Sequence, residues 1–142
     1  MADKVNYILD ADIKGFFDNL DHEWMIKFLE HDIADKNFIR YIKRFLIGGV
    51  MEDGKRLDTE AGTVQGGLIS PVLANVYLHY TLDTWFDYVK KHEFKGEMYM
   101  VRYADDFVCL FQYENEAQRF YQLLIERLRK FGLEIAEDKS RI

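Results

Sequence analysis

Residues 98–111 set two adjacent carboxylates, Asp105 and Asp106, between two apolar runs, Met98-Tyr99-Met100-Val101 and Phe107-Val108-Cys109-Leu110-Phe111. Two short apolar runs broken by a tight polar step predict a β-hairpin with the carboxylates at its tip. A single aspartate there would be an ordinary turn residue. Two side by side repel each other, and a sheet that gathers them is relieved when a cation arrives. Mg²⁺ suits such a place. It takes oxygen ligands, keeps several waters, and is commonly held by one or two carboxylates together with substrate phosphates.

A second acidic stretch lies near the start of the chain. Residues 5–13 read as a mostly apolar strand that ends in Asp10-Ala11-Asp12. Residues two apart in a strand share a face, so Asp10 and Asp12 point the same way, and parity does not choose between them. If this strand lies beside the 98–111 hairpin, Asp12 and Asp105 could meet. Carboxylates from distant segments could then hold two metal ions about 3.5–4 Å apart. That arrangement aligns an attacking hydroxyl and stabilises a leaving pyrophosphate in phosphoryl transfer.

Between and after these strands the pattern is helical. Asp21 caps a helix with Trp24, Met25, Phe28 and Leu29 on one side, and Asp35 caps a second with Phe38, Ile39, Ile42, Phe45 and Leu46 inward, ended by Gly48-Gly49. Residues 50–57 read as a small hairpin excursion. Ser70-Pro71 predicts a helix start, with the helix running to about Lys90. Asn115 opens an amphipathic helix through Phe120, Leu124 and Leu128, stopped by Gly132, and residues 133–136 read as a last short strand. The order predicts an α+β fold, an antiparallel sheet with helices packed on one face, close to the split βαβ or ferredoxin-like pattern. The length of 142 residues fits one domain.

Composition excludes some classes. No apolar run is long enough to span a bilayer, so no membrane is expected. The single cysteine, Cys109, lies in an apolar run and has no internal partner, which predicts a buried thiol and a reducing, cytoplasmic setting. The histidines (His22, His31, His79, His92) lack metal-ligand spacing. A net charge of −6 argues against a free-standing nucleic-acid binder, which is usually basic. The exception is local: Lys36, Arg40, Lys43 and Arg44 fall at helical spacing opposite the apolar residues of their helix, where they could touch phosphates or simply be solvated.

Four blocks, at residues 12–20, 65–78 (QGGLISPVLANVYL), 103–106 (YADD) and 132–140, cover nearly the whole chain, and in that order they resemble the group II intron-encoded reverse transcriptases (maturases). Tyr103-Ala104-Asp105-Asp106 resembles their YADD box, and residues 12–20, starting Asp12-Ile13-Lys14-Gly15-Phe16-Phe17, resemble their first catalytic motif. Residues 65–78 resemble the QGG-x-x-SP-x-L-A-N-x-Y-L block, which is long and specific where YADD alone is short. Gly132-Leu133-Glu134 with Glu137-Asp138-Lys139-Ser140 resembles the following motif and its lysine.

The resemblance implies a reverse transcriptase palm, an RNA-directed DNA polymerase that joins deoxynucleoside triphosphates to a DNA primer on an RNA template during intron retrohoming. Two Mg²⁺ ions, with Mn²⁺ as an alternative, are implied as cofactors, and intron RNA as a partner of the full-length parent. It implies Asp12 and Asp105 as the main metal ligands with Asp106 beside them, and the Ile13 carbonyl as a further ligand. Asp10 is then an exposed residue or one that supports the ligands from behind. Phe17 matches the family's steric gate, an aromatic ring that leaves no room for a 2′-hydroxyl. Gln65 and Gly66 match the segment touching the incoming nucleotide, with glycine allowing close backbone approach. Lys139 matches the lysine that protonates departing pyrophosphate.

The chain departs from the family at Val64, where proline commonly precedes the glutamine. The motifs begin at the first catalytic block and end soon after Lys139, so residues 1–142 are expected to be a single palm without fingers, thumb, maturase or endonuclease regions, and weak or inactive alone. The basic surfaces of a complete protein would then lie largely elsewhere. Alternatives are an RNA-binding splicing module, a retron or diversity-generating retroelement enzyme, and a nucleotide cyclase. The block at 65–78 and the Asp105-Asp106 hairpin argue against the cyclase.

Overall fold

Alternation decides how the first strand sits. In β1 (Tyr7–Lys14), Leu9, Ala11 and Ile13 are buried while Ile8, Asp10 and Lys14 are exposed, so one face packs and the other is open. The structure, a computed structural model, describes residues 5–48 and 60–142, with residues 47, 48 and 60–68 by backbone alone. The predicted hairpin at 50–57 lies outside the described residues.

The 98–111 hairpin forms as β2 (Met98–Tyr103) and β3 (Asp106–Phe111), and a two-residue strand, β4 (Glu134–Ile135), completes the sheet. The strand order is β2-β3-β1-β4, with every pairing antiparallel. β1 and β2 are therefore parallel to each other with β3 inserted between them, which is the split βαβ arrangement.

The helices cover the face bearing Leu9, Phe107, Cys109 and Phe111. α1 (Phe16–Asn19) and α2 (His22–Asp32) follow β1, and Asp21 caps α2 by accepting from the Glu23 and Trp24 backbone N–H groups. α3 (Lys36–Gly48) packs on α2, and Asp35 caps it through the Asn37 and Phe38 N–H groups. α4 (Glu60–Leu78) runs into a π-helical turn, His79–Asp83, and then α5 (Thr84–His92). α6 (Glu114–Lys130) presents Ala117, Phe120, Leu124 and Leu128 to the sheet. Phe120 sits at the centre of an aromatic cluster with Trp85, Phe86, Phe94 and Phe111, all with ring centroids within 6.1 Å of its own.

Two ties close the layers. The buried Tyr77 hydroxyl donates to the Phe131 carbonyl at 2.6 Å and accepts from the Asp21 N–H at 3.1 Å, and burial pushes its phenol pKa up. α6 ends in a Schellman turn: Leu133 N–H bonds the Leu128 carbonyl and Gly132 N–H the Arg129 carbonyl. Gly132 has φ 83°, and a Cβ there would come within 2.8 Å of the Asn19 carbonyl oxygen, so glycine is required both by conformation and by space.

Two expectations are corrected. Ser70-Pro71 is not a helix start: α4 begins at Glu60 and Pro71 lies inside it. A proline in a helix lacks one N–H and disfavours the helical conformation before it without forbidding it, and here the upstream backbone is already helical. The helix to Lys90 is also broken, by the π-turn at His79–Asp83. There Arg127 donates to the carbonyls of Thr81 (2.9 Å) and Tyr80 (3.2 Å), and the Tyr80 carbonyl also accepts from Thr84 Oγ1 (3.0 Å).

Candidate active site

The register of β1 against β3 sets Asp12 directly opposite Asp106. Both belong to the open-face parity of their strands, since Ala11, Ile13 and Phe107 point into the core. Directly opposed like charges are unfavourable in an antiparallel pair, so this register works against the sheet unless something positive joins it. Asp105 is one residue earlier, at the second position of the two-residue turn joining β2 to β3. Its carboxyl is held above the ordinary range first by burial and then by Asp106 and Asp12, while its own backbone N–H pulls it partly back. Asp105 thus feels one carboxylate from its own hairpin and one from a distant strand.

The turn itself is held under strain. Ala104 has φ 55°, a value that favours glycine, and it is the one non-glycine residue with positive φ among the described residues. Arg102 secures it. Its Nη1 donates to the Ala104 carbonyl (2.7 Å) and to Asn75 Oδ1 (3.1 Å), while Nε and Nη2 form a two-point bridge to Asp83 (2.8 and 2.6 Å). The Arg102 side chain is only 11% exposed, so the bridge is shielded from solvent. The hairpin tip is thereby fastened to α4 and to the π-turn. These three residues escaped the sequence reading. The available signal was Arg102 itself, a charged residue at an inward-facing strand position, which requires a partner.

The opposite edge of β1 is fixed by the C-terminal segment. Asp12 N–H donates to Ser140 Oγ (3.0 Å), Ser140 Oγ donates to the Ala136 carbonyl (2.8 Å), and Ala136 N–H donates to the Asp12 carbonyl (2.8 Å). Asp10 exchanges backbone hydrogen bonds with Arg141. A one-turn 3₁₀ helix, Glu137–Lys139, places Lys139 on the wall of a shallow depression of about 420 Å³ shared with Asp10, Asp12, Tyr103 and Asp106.

The other expected site residues fall as follows. Ile13 has a buried side chain and pairs with Ile135 next to Asp12. Phe17 is partly buried on α1, edge-on to Phe16 at 4.9 Å, and is not on the wall of the depression. Gln65 and Gly66 lie on the helical backbone of α4 rather than on a loop, and their surroundings are outside the described residues.

Among the described residues, no three His, Cys, Asp or Glu side chains are arranged to enclose an ion by themselves. The donor set is instead a few solvent-facing carboxylate oxygens. That fits a Mg²⁺ ion completed by water and by phosphates from a substrate better than one caged by protein.

The family model described as reverse transcriptase (RNA-dependent DNA polymerase) matches residues 2–142. The group II intron-encoded protein LtrA of Lactococcus lactis subsp. cremoris is 42% identical over 73 residues, 51% of this chain and 12% of that protein. An uncharacterized 91 kDa protein in the cob intron of Schizosaccharomyces pombe is 36% identical over 89 residues, 62% of this chain and 11% of that protein. A putative COX1/OXI3 intron 1 protein of Saccharomyces cerevisiae is 34% identical over 95 residues, 66% of this chain and 11% of that protein. The chain thus spans about a tenth of the length of these curated relatives.

Proposed function

The chain belongs to the reverse transcriptase (RNA-dependent DNA polymerase) family, and from that premise we propose that it forms the catalytic palm of a group II intron-encoded enzyme that extends a DNA primer along an RNA template. The observation that carries the reading is the register that opposes Asp12 to Asp106 with Asp105 beside them. Asp12, Asp105 and Asp106, with the Ile13 carbonyl, would hold two divalent ions. Such ions, when bound, polarise the primer hydroxyl and the reacting phosphate and neutralise departing pyrophosphate. Lys139, which lines the depression with Asp12 and Asp106, donates a proton to the pyrophosphate oxygen as it leaves. Phe17 excludes a 2′-hydroxyl from the sugar site, and Gln65 and Gly66 border the incoming nucleotide.

The test is primer extension on an RNA template by the full-length protein. Asp105→Asn should lower extension by at least about 100-fold, the scale of losing one preorganised electrostatic contact to the transition state, while RNA binding is retained. Undiminished extension by that variant would end the polymerase reading and leave an RNA-binding role in splicing.

A further inference from the structure

α3 carries four cations and no carboxylate in a chain whose net charge is −6. At about 100° per residue, Lys36, Arg40, Lys43 and Arg44 fall within an arc of about 100° on the helix surface, along about 12 Å of its axis. All four are exposed, and among the described residues none of them forms an ion pair. Like charges so close together on one helix repel, and among the described residues no ion pair offsets that repulsion. The ring of Tyr41, 67% exposed, lies about 60° beyond the Arg44 edge of that arc. It lines a polar depression of about 330 Å³ together with Asn37, Arg40 and Arg44. A second depression, about 430 Å³, has Lys36, Arg40 and Lys43 on one wall and Glu30 on the other.

We infer that this face of α3 is a docking strip for a single strand of RNA, with the four cations on its phosphates and an unpaired base stacked on Tyr41. Cations alone would serve any polyanion. The exposed aromatic ring beside Arg40 and Arg44 selects a partner with flat unpaired bases, because base stacking on an aromatic side chain is a main element of single-strand recognition. A membrane surface fits poorly, since the apolar side of α3 (Ile39, Ile42, Leu46) is already buried in the protein and cannot enter lipid. That the strand is RNA rests on the reverse transcriptase reading.

The test is fluorescence anisotropy of a labelled, unstructured RNA oligonucleotide with the 142-residue chain between 50 and 200 mM salt. Each lost phosphate contact on a single strand should flatten the slope of log K against log salt by about 0.7. Arg40→Gln with Arg44→Gln should therefore reduce affinity by about ten-fold or more and flatten the slope by about 1.4. Tyr41→Ala should weaken single-strand binding by about 5-fold or more, leave the slope unchanged and spare duplex RNA. Far-UV circular dichroism checks folding, and Lys36→Gln with Lys43→Gln gives an independent pair should the first lose its helix content. Unchanged affinity and slope in the folded variants, no RNA binding by the parent chain, or equal losses on phosphatidylserine vesicles would each overturn the inference. The two readings separate. Normal RNA binding by the α3 variants with extension abolished in Asp105→Asn removes only the strip. Weakened binding by them with extension intact in Asp105→Asn removes only the polymerase.

Discussion

Asp105 sits where burial and two neighbouring carboxylates all oppose its ionisation. A carboxyl whose pKa is raised on folding favours the folded state most when protonated. Its contribution is complete below the usual value of 3.8 and is lost as pH rises through the raised value. Above that range the ionised group works against the fold. In EDTA, Asp105→Asn should therefore melt at a higher temperature than the parent at pH 7, and the difference should vanish near pH 3. Added Mg²⁺ should narrow the gap by stabilising the parent alone. A lower melting temperature for the variant at pH 7 would show that the carboxylate has a partner that repulsion does not describe. At this scale the sequence shows a face but not a choice. Alternation puts Asp10 and Asp12 on one face but cannot rank them. The ranking comes from register, which opposes Asp12 to Asp106 and Asp10 to the apolar Val108, and register depends on a strand far along the chain.

Among the elements, the hairpin is the one that carries Asp105 and Asp106, and Arg102 ties it to the helices. Arg102→Ala removes the two-point bridge to Asp83 and the bond to Asn75 and should cost about 1–3 kcal/mol, since Asp83 is 28% exposed and keeps His79 Nδ1 at 3.8 Å. Arg102→Lys keeps the charge but cannot make the two-point bridge, so it should recover part of the stability and little of the turn geometry. Chemical denaturation measures the first effect. Primer extension measures the second, as a fall in kcat with KM nearly unchanged. Equal stability of parent and Arg102→Ala would mean that the bridge contributes nothing. The strands, the caps at Asp21 and Asp35 and the stop at Gly132 are legible because each is written within a few residues. The start of α4 and the π-turn are not. Pro71 carries a strong local preference that its surroundings override, and the π-turn is supported by Arg127, more than forty positions away in sequence.

Over the whole molecule, charge is sorted. The acidic end of the sheet holds Asp10, Asp12, Asp105 and Asp106, while the cations of α3 lie on a helix that packs outside α2. Calorimetry on the chain alone should find weak Mg²⁺ binding that tightens when a deoxynucleoside triphosphate is added, since among the described residues no three His, Cys, Asp or Glu side chains enclose an ion. A tight site without nucleotide would contradict the open donor set. The topology also governs when such a centre can exist during synthesis. β1 is made first and waits for β3, separated from it by roughly a hundred residues of chain, so loop closure precedes any pairing between them. A ribosome therefore releases the first aspartate long before its counterparts. Until the second half of the chain emerges, the early segment is only an unpaired strand, and a message cut short before the hairpin yields no site at all.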